Sequence, residues 1–285
     1  MSGKIKLNAA SGGGSVSIQA PSSESNNRTL TLPSDADGTI VSKDTTNNLA
    51  NIASINNGSI GTTNLVTNGN FAVAQRGTSS TTSGYGSVDR WQVSYGGTDE
   101  APTQSQVDVA SGTTPYTLGF RKALRATNGN QTSGAGASDY IFMFQKVEAQ
   151  NIANSGWNYT STSSFITLSF WVKSSVAQNF YGYIKAEDAT YVYPFETGSL
   201  SADTWTKVTK TISGNSNLVF NNDVGNGMVL LLSPFTGGTY TDSGVSLNTW
   251  AAYASGTRMP DNTSTWYTTN DATFEITGVQ LEVGS

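Results

Sequence analysis

Apolar and polar residues alternate with a period of two through most of the chain. "FITLSFWVKSS" puts Ile166, Leu168, Phe170 and Val172 on one side, and Thr167, Ser169, Trp171 and Lys173 on the other. In "DYIFMFQKVEA", Ile141, Met143, Gln145 and Val147 alternate with Phe142, Phe144 and Lys146. "NFYGYIKA", "TYVYPF", "WTKVTKTIS" and "GMVLLLS" follow, divided by Gly, Asn, Ser and Asp turns. This is the strand period, because successive side chains of an extended chain point to opposite faces. One fragment, "VEAQNIANSG", reads as a short helix closed by Gly156. Many short strands with almost no helix predict an all-β fold, a two-sheet antiparallel sandwich of the jelly-roll type.

The closing "FEITGVQLEVGS" breaks the alternation. Phe274 and Ile276 share a face, but Val279, Leu281 and Val283 continue it one register out of step. A β-bulge at Gly278 explains the slip, since one extra residue bends a strand and shifts its side-chain phase. All five apolar residues then face one curved core. The strand is expected to run beside "NLVTNGNF" (Asn64 to Phe71). Trp91, in "SVDRWQV", is expected in the core.

Residues 1–63 are different. They contain no Trp, Tyr or Phe, only short alternating runs, "KIKLNA", "SVSIQA", "RTLTLPS" and "GTIVS", between turn sequences. Such strands bury too little to hold a core alone. Either they form a loosely attached arm, or they borrow a core from other copies by intertwining around a threefold axis. "NNLANIASINNGSIG" fits a connector, as a short helical turn or an extended linker. The expected division is an arm with linker over 1–63 and a sandwich head over 64–285.

Composition narrows the chemistry. Charged residues are 12% of the 285, and the net charge is −5 with no basic run. Nucleic-acid binding through clustered cations is therefore not expected. The absence of Cys and His excludes thiolate chemistry, Ser-His-Asp triads and His- or Cys-ligated metals. No stretch approaches the roughly 20 apolar residues of a membrane span. The N-terminus, "MSGKIKLNAASGGG", lacks the apolar centre of a signal peptide. The protein is expected either to stay in the cytosol or to leave by a route such as lysis.

Several motifs occur in a telling order. "NLVTNGNF" resembles the opening strand of carbohydrate-binding-module jelly rolls. Together with "FMFQKVEAQNIANSGW…FITLSFWVKSS", Thr249-Trp250 and "FEITGVQLEVGS", it resembles the jelly-roll domain of tailed-bacteriophage fibre and appendage proteins. "LNAASGGGSVSIQAPSSESNNRTLTLPSDADGTIV" is similar to a short module of such fibres, notably from marine phages. The resemblance implies a virion component made in the host cytoplasm and released by lysis. It also implies a homotrimer, attached to tail or capsid protein through residues 1–45. Many relatives continue past "QLEVGS"; the end at Ser285 is expected to mean a short fibre, spike or decoration rather than a long shaft.

Glycan binding needs flat aromatic faces with hydrogen-bonding groups beside them. The candidates are Trp171, Tyr181, Tyr183, Tyr191, Tyr193, Trp250 and Trp266, although most aromatics in such a sequence serve as core or interface. Jelly rolls of this type often hold a structural Ca²⁺ between first and last strands, which points to Asn68, Asn70 and Glu275 as oxygen donors. No other cofactor is expected. Hydrolysis of a glycosidic bond needs two converging carboxylates. Glu187 with Asp188 should diverge, Asp99 with Glu100 sits in a loop, and Glu275 with Glu282 should face solvent. The expected function is therefore a non-enzymatic virion protein that binds host-surface polysaccharide. Two alternatives remain open: a glycan-binding module of a bacterial surface protein, or a polysaccharide-degrading tail enzyme.

Overall fold

The structure is a computed structural model. It describes the backbone of Lys4–Asn8, Ser15–Gln19, Ser54–Ile55 and Gly58–Ser59, and residues 64–284 in full. The chain divides into two units, Met1–Ala53 and Ser54–Ser285.

In the first unit, β1 (Lys4–Asn8) pairs antiparallel with β2 (Ser15–Gln19), with Ile5 opposite Ile18 and Leu7 opposite Val16. These are two of the runs expected in the arm. "RTLTLPS" and "GTIVS" lie outside the described residues, as does most of the attachment segment 1–45.

The second unit opens with a minimal ladder, β3 (Ser54–Ile55) on β4 (Gly58–Ser59). The strands that follow are β5 (Ser79–Ser80), β6 (Gln92–Gly96), β7 (Thr103–Asp108), β8 (Lys122–Thr127) and β9 (Tyr140–Glu148). Then come β10 (Phe165–Ser174), β11 (Asn179–Ala186), β12 (Tyr191–Ser199), β13 (Thr206–Ser213), β14 (Asn226–Thr236), β15 (Ala251–Ala252) and β16 (Thr273–Val283). They form two six-stranded sheets, one in the order β13-β10-β16-β8-β7-β5 and the other β15-β12-β11-β14-β9-β6. All strand pairings are antiparallel. This is the predicted all-β sandwich of jelly-roll type. Among the described residues, α-helix is limited to α1 (Thr114–Thr117) and α2 (Ala149–Ala153), the second inside the predicted fragment, with two single 3-10 turns at Gly238–Tyr240 and Ser255–Thr257. No helix among the described residues is long and apolar enough to cross a membrane.

The core lies between the sheets, where the inward faces read from the sequence meet. Ile166, Leu168, Phe170 and Val172 of β10 are fully buried, as are Ile141 and Met143 of β9. Phe170 meets Phe195 across the interior at 6.2 Å, and Phe180 meets Phe274 at 4.8 Å. Such contacts lock the sheets in register beyond the area they bury. Gln145 is the polar residue on the inner face of β9. Its amide closes a double hydrogen bond on the backbone of Thr67, receiving the N–H and donating to the C=O, each at 2.7 Å. A buried amide is tolerable when satisfied in this way. Trp91 is in the core, its indole N–H donating to the Thr67 carbonyl at 3.3 Å.

The last strand carries the predicted bulge. On β10, Ser169 faces Gln280 and Trp171 faces Thr277, so Phe170 stands opposite two residues, Gly278 and Val279. Gly278 has φ +61°, and a Cβ there would lie 2.6 Å from the Phe120 ring. Only glycine satisfies both demands at no cost. The bulge also changes partners. Before it, Thr273 to Ile276 pair with β8; after it, Val279 donates to the Gly69 carbonyl and Leu281 accepts from Leu65, both at 2.9 Å. The strand therefore runs beside "NLVTNGNF". Phe274, Ile276, Val279 and Leu281 are buried, but Val283, at the end of the strand, is not: it is 39% exposed.

Candidate functional site

The outward face of the second sheet is apolar too. Strand pairing aligns side chains in rows across it. Lys146, Val229, Lys185 and Val192 form one row; Gln92, Phe144, Leu231, Tyr183 and Pro194 form the next; Ser94 and Phe142 lie opposite each other in a third. Phe142, Tyr183, Val192, Val229, Leu231 and Met259 make a second buried cluster, separate from the core.

Part of that cluster is covered by the long connection from β14 to β16. Its course is set by backbone hydrogen bonds to strand ends: Asn248 donates to Pro194 and Tyr253 to Thr190, both at 2.8 Å. β15, within it, pairs with β12, and Met259 plugs into the apolar rows as a fully buried side chain. The connection thereby raises a wall bearing Tyr240, Tyr253 and Arg258 along the exposed floor.

Floor and wall enclose a solvent-open trough of about 380 Å³. Tyr140, Phe144, Tyr240 and Tyr253 each show part of a ring, while Phe142 and Tyr183 lie deeper. Tyr140 stacks on Phe142 at 4.6 Å and meets Tyr240 edge-on at 6.0 Å. Lys185 sits 4.2 Å over the Tyr253 ring, and Arg258 4.6 Å over Tyr240. Lys185 also pairs with Glu187 at 2.6 Å. Burial pushes the Tyr183 phenol well above its ordinary value and the neighbouring Tyr253 adds to the rise, whereas the Arg258 charge opposes it. The hydroxyl is thus a neutral donor and acceptor throughout the physiological range. Partly exposed rings beside charged and hydroxyl groups suit a sugar, whose C–H face is apolar and whose edge is polar.

The seven aromatic candidates do not gather in one place. Tyr183 lines the trough, and Tyr181 lies on the same sheet face beside it. Trp171 is on the outer face of the opposite sheet, half-buried between Lys207 and Thr277. Tyr191 packs partly against the core. Tyr193 and Trp250 pack together at 5.4 Å in the core, the Trp250 indole donating to Ser213 at 2.8 Å. Trp266 is completely enclosed and donates to Thr273 at 3.0 Å. A ring with no exposed face has nothing to offer a sugar, so Trp266 serves packing. Phe144, Tyr140, Tyr240, Tyr253 and Arg258 were not among the candidates. The signal for Phe144 was present, since β9 carries aromatics on its polar side; the wall residues come from a connection with no periodic pattern.

The three oxygen donors considered for Ca²⁺ do not fit a ligand set. The Asn68 amide is spent on its own loop, accepting from Val73 N–H at 3.1 Å and donating to the Val73 and Asp89 carbonyls at 2.9 Å. Asn70 accepts from Ala72 N–H at 3.4 Å. Glu275 does not face solvent: it is 2% exposed, held by Arg125 at 2.7 Å and Lys173 at 3.1 Å. Both of its oxygens are already engaged, and the two cations would repel a metal ion placed beside them. Among the described residues no cluster of three acidic side chains is arranged to hold a metal.

The carboxylate pairs separate as well. Glu187 lines the trough, while Asp188 turns away to receive the Asn221 N–H at 2.9 Å. Asp99 braces the loop at Ser133, and Glu100 receives the Asn130 N–H at 2.7 Å. Glu187 is the one carboxylate lining the trough.

No protein-family model and no curated protein sequence matches the chain. Solved structures are similar at low identity. One is the enzymatically active domain of bacteriophage CBA120 tailspike protein 4, 10% identical over 78% of this chain, with a TM-score of 0.39. The match spans 21% of that tailspike chain. Another is the carbohydrate-binding module TmCBM61 in complex with β-1,4-galactotriose, 10% identical over 77% of this chain and 97% of that one, with a TM-score of 0.35. A third is the N-terminal cellulose-binding domain of Cellulomonas fimi β-1,4-glucanase C, 10% identical over 75% and 97%, with a TM-score of 0.32.

Proposed function

We propose that this protein binds glycans through the trough on its second sheet and does not cleave them. The observation that carries this reading is the second apolar face: a sandwich needs only one per sheet, yet here Tyr140, Phe144, Tyr240 and Tyr253 leave ring surface exposed around polar groups. Binding without cleavage is favoured because the trough has a single lining carboxylate, and Lys185 already engages it. The setting, from the sequence resemblance, is a short trimeric fibre, spike or capsid decoration of a phage, meeting host-surface polysaccharide. Three weak sites on one assembly would gain avidity without new contacts.

Titration against a panel of plant, bacterial and algal polysaccharides tests the trough. Phe144→Ala and Tyr253→Ala should each weaken binding by about 1 kcal/mol, roughly fivefold. Trp171→Ala, on the other sheet, should leave it unchanged. Binding lost only in Trp171→Ala would move the site to the opposite face. Light scattering tests the assembly: a mass three times the 30.0 kDa chain supports the trimer, and a monomer at micromolar concentration refutes it.

A further inference from the structure

The trough differs in charge from the molecule that carries it. The whole chain has a net charge of −5. The trough is lined by three cations, Lys146, Lys185 and Arg258, against one carboxylate, Glu187. Lys185 and Glu187 neutralise each other at 2.6 Å. Lys146 and Arg258 are left, and neither pairs with a carboxylate among the described residues.

The two cations are placed differently. Lys146 stands exposed at the end of its row on β9. Arg258 is half-buried and fixed: its Nε donates to the Ser255 carbonyl at 3.0 Å, and its plane lies over Tyr240. A guanidinium held in this way keeps its remaining donors oriented for a planar or tetrahedral oxyanion. The Phe142 and Tyr253 rings also lie near it, each 5.9 Å from the guanidinium carbon. Its charge also acts on the buried Tyr183 hydroxyl, but no carboxylate among the described residues neutralises it.

We infer that the trough selects an acidic polysaccharide, with Arg258 gripping the oxyanion of one sugar and Lys146 that of a neighbouring one. This rests on the glycan-binding reading and adds the class of sugar to it. The shared chemistry is an oxyanion-bearing hexose, whether a uronic carboxylate or a sulfate ester. A protein of net negative charge repels polyanions in general, so retention of one marks a local site.

The test is affinity electrophoresis and calorimetry of the full chain against three sets of probes. The carboxylate set is polygalacturonate, alginate and hyaluronan; the sulfate probe is dextran sulfate; the neutral set is galactan, xylan, glucomannan and dextran. The inference expects retention by an acidic probe and not by the neutral ones, with the carboxylate and sulfate arms showing which oxyanion is read. Binding should weaken between about 50 mM and about 500 mM NaCl as screening shortens. Arg258→Met should cost about tenfold or more in affinity, as loss of charge-assisted hydrogen bonds does. Lys146→Met, at an exposed position, should cost about threefold. Retention of neutral probes, indifferent to salt and to both substitutions, overturns the inference while leaving glycan binding intact. Retention of acidic probes that neither substitution weakens also overturns it, since the polyanion then sits elsewhere. Retention of no probe overturns the glycan-binding reading itself.

Discussion

Gly278→Ala isolates the bulge on which the last strand depends. Two costs arise. The backbone at φ +61° lies in the left-handed region, which a residue with a Cβ pays about 1–2 kcal/mol to occupy. The new methyl would also meet Phe120 Cζ at 2.6 Å and must displace the ring, an overpacking cost of about 1–3 kcal/mol. Alanine's smaller unfolded-state entropy offsets about 0.4–1 kcal/mol. The net expectation is a loss near 3 kcal/mol, a large part of an ordinary domain's stability. Urea unfolding of the wild type, Gly278→Ala, Phe120→Ala and the double variant separates the two causes. Without the ring, the alanine should cost only the backbone part, about 1 kcal/mol, so the cycle should show coupling near 2 kcal/mol. A loss below about 0.5 kcal/mol in Gly278→Ala would refute the bulge as drawn, as would strict additivity with Phe120→Ala.

Other consequences can be checked singly. Glu275→Gln leaves Arg125 and Lys173 without their shared anion; since both cations are part-exposed, the loss should be about 2 kcal/mol rather than the full cost of a buried charge, read by thermal and urea unfolding. Trp266→Ala should cost about 3–5 kcal/mol of stability, as a fully enclosed ring does, while leaving the glycan affinity of the folded fraction unchanged. Hydrogen bonds from the Ser133 backbone and side chain hold the Asp99 carboxyl below its ordinary value of 3.8. The stabilisation this gives is complete above that ordinary value and is lost as pH falls through the lowered one. Ser133→Ala should raise the Asp99 midpoint in an NMR titration, and an unmoved midpoint would contradict the assignment.

The sandwich was legible because burial imposes period two wherever one face is wet. β10 shows this cleanly: its alternation in sequence is its alternation in burial. The bulge could be read for the same reason, as a phase slip centred on a glycine, which takes a positive φ without strain. The trough was half legible. Phe142, Phe144 and Lys146 could be placed on one face of β9, but the aromatic character of that face does not say whether a partner, a ligand or the chain itself covers it. Tyr240, Tyr253 and Arg258 come from an aperiodic connection, and the long-range hydrogen bond that seats Tyr253, to Thr190, leaves no mark on local sequence. Trp250 and Trp266 show the converse: in an aperiodic stretch, tertiary packing alone decides whether a tryptophan meets sugar or core. Glu275 gave no sign of its fate because Arg125 lies 150 positions away.

The central claim is that sugars lie in the trough walled by Tyr240, Tyr253 and Arg258. A crystal structure of the protein with an oligosaccharide of whichever probe it retains tests this most directly. The account predicts sugar rings against Phe144, Tyr140 and Tyr253, with an oxyanion at Arg258. Sugar bound on the opposite sheet at Trp171, with the trough left to water, would contradict it.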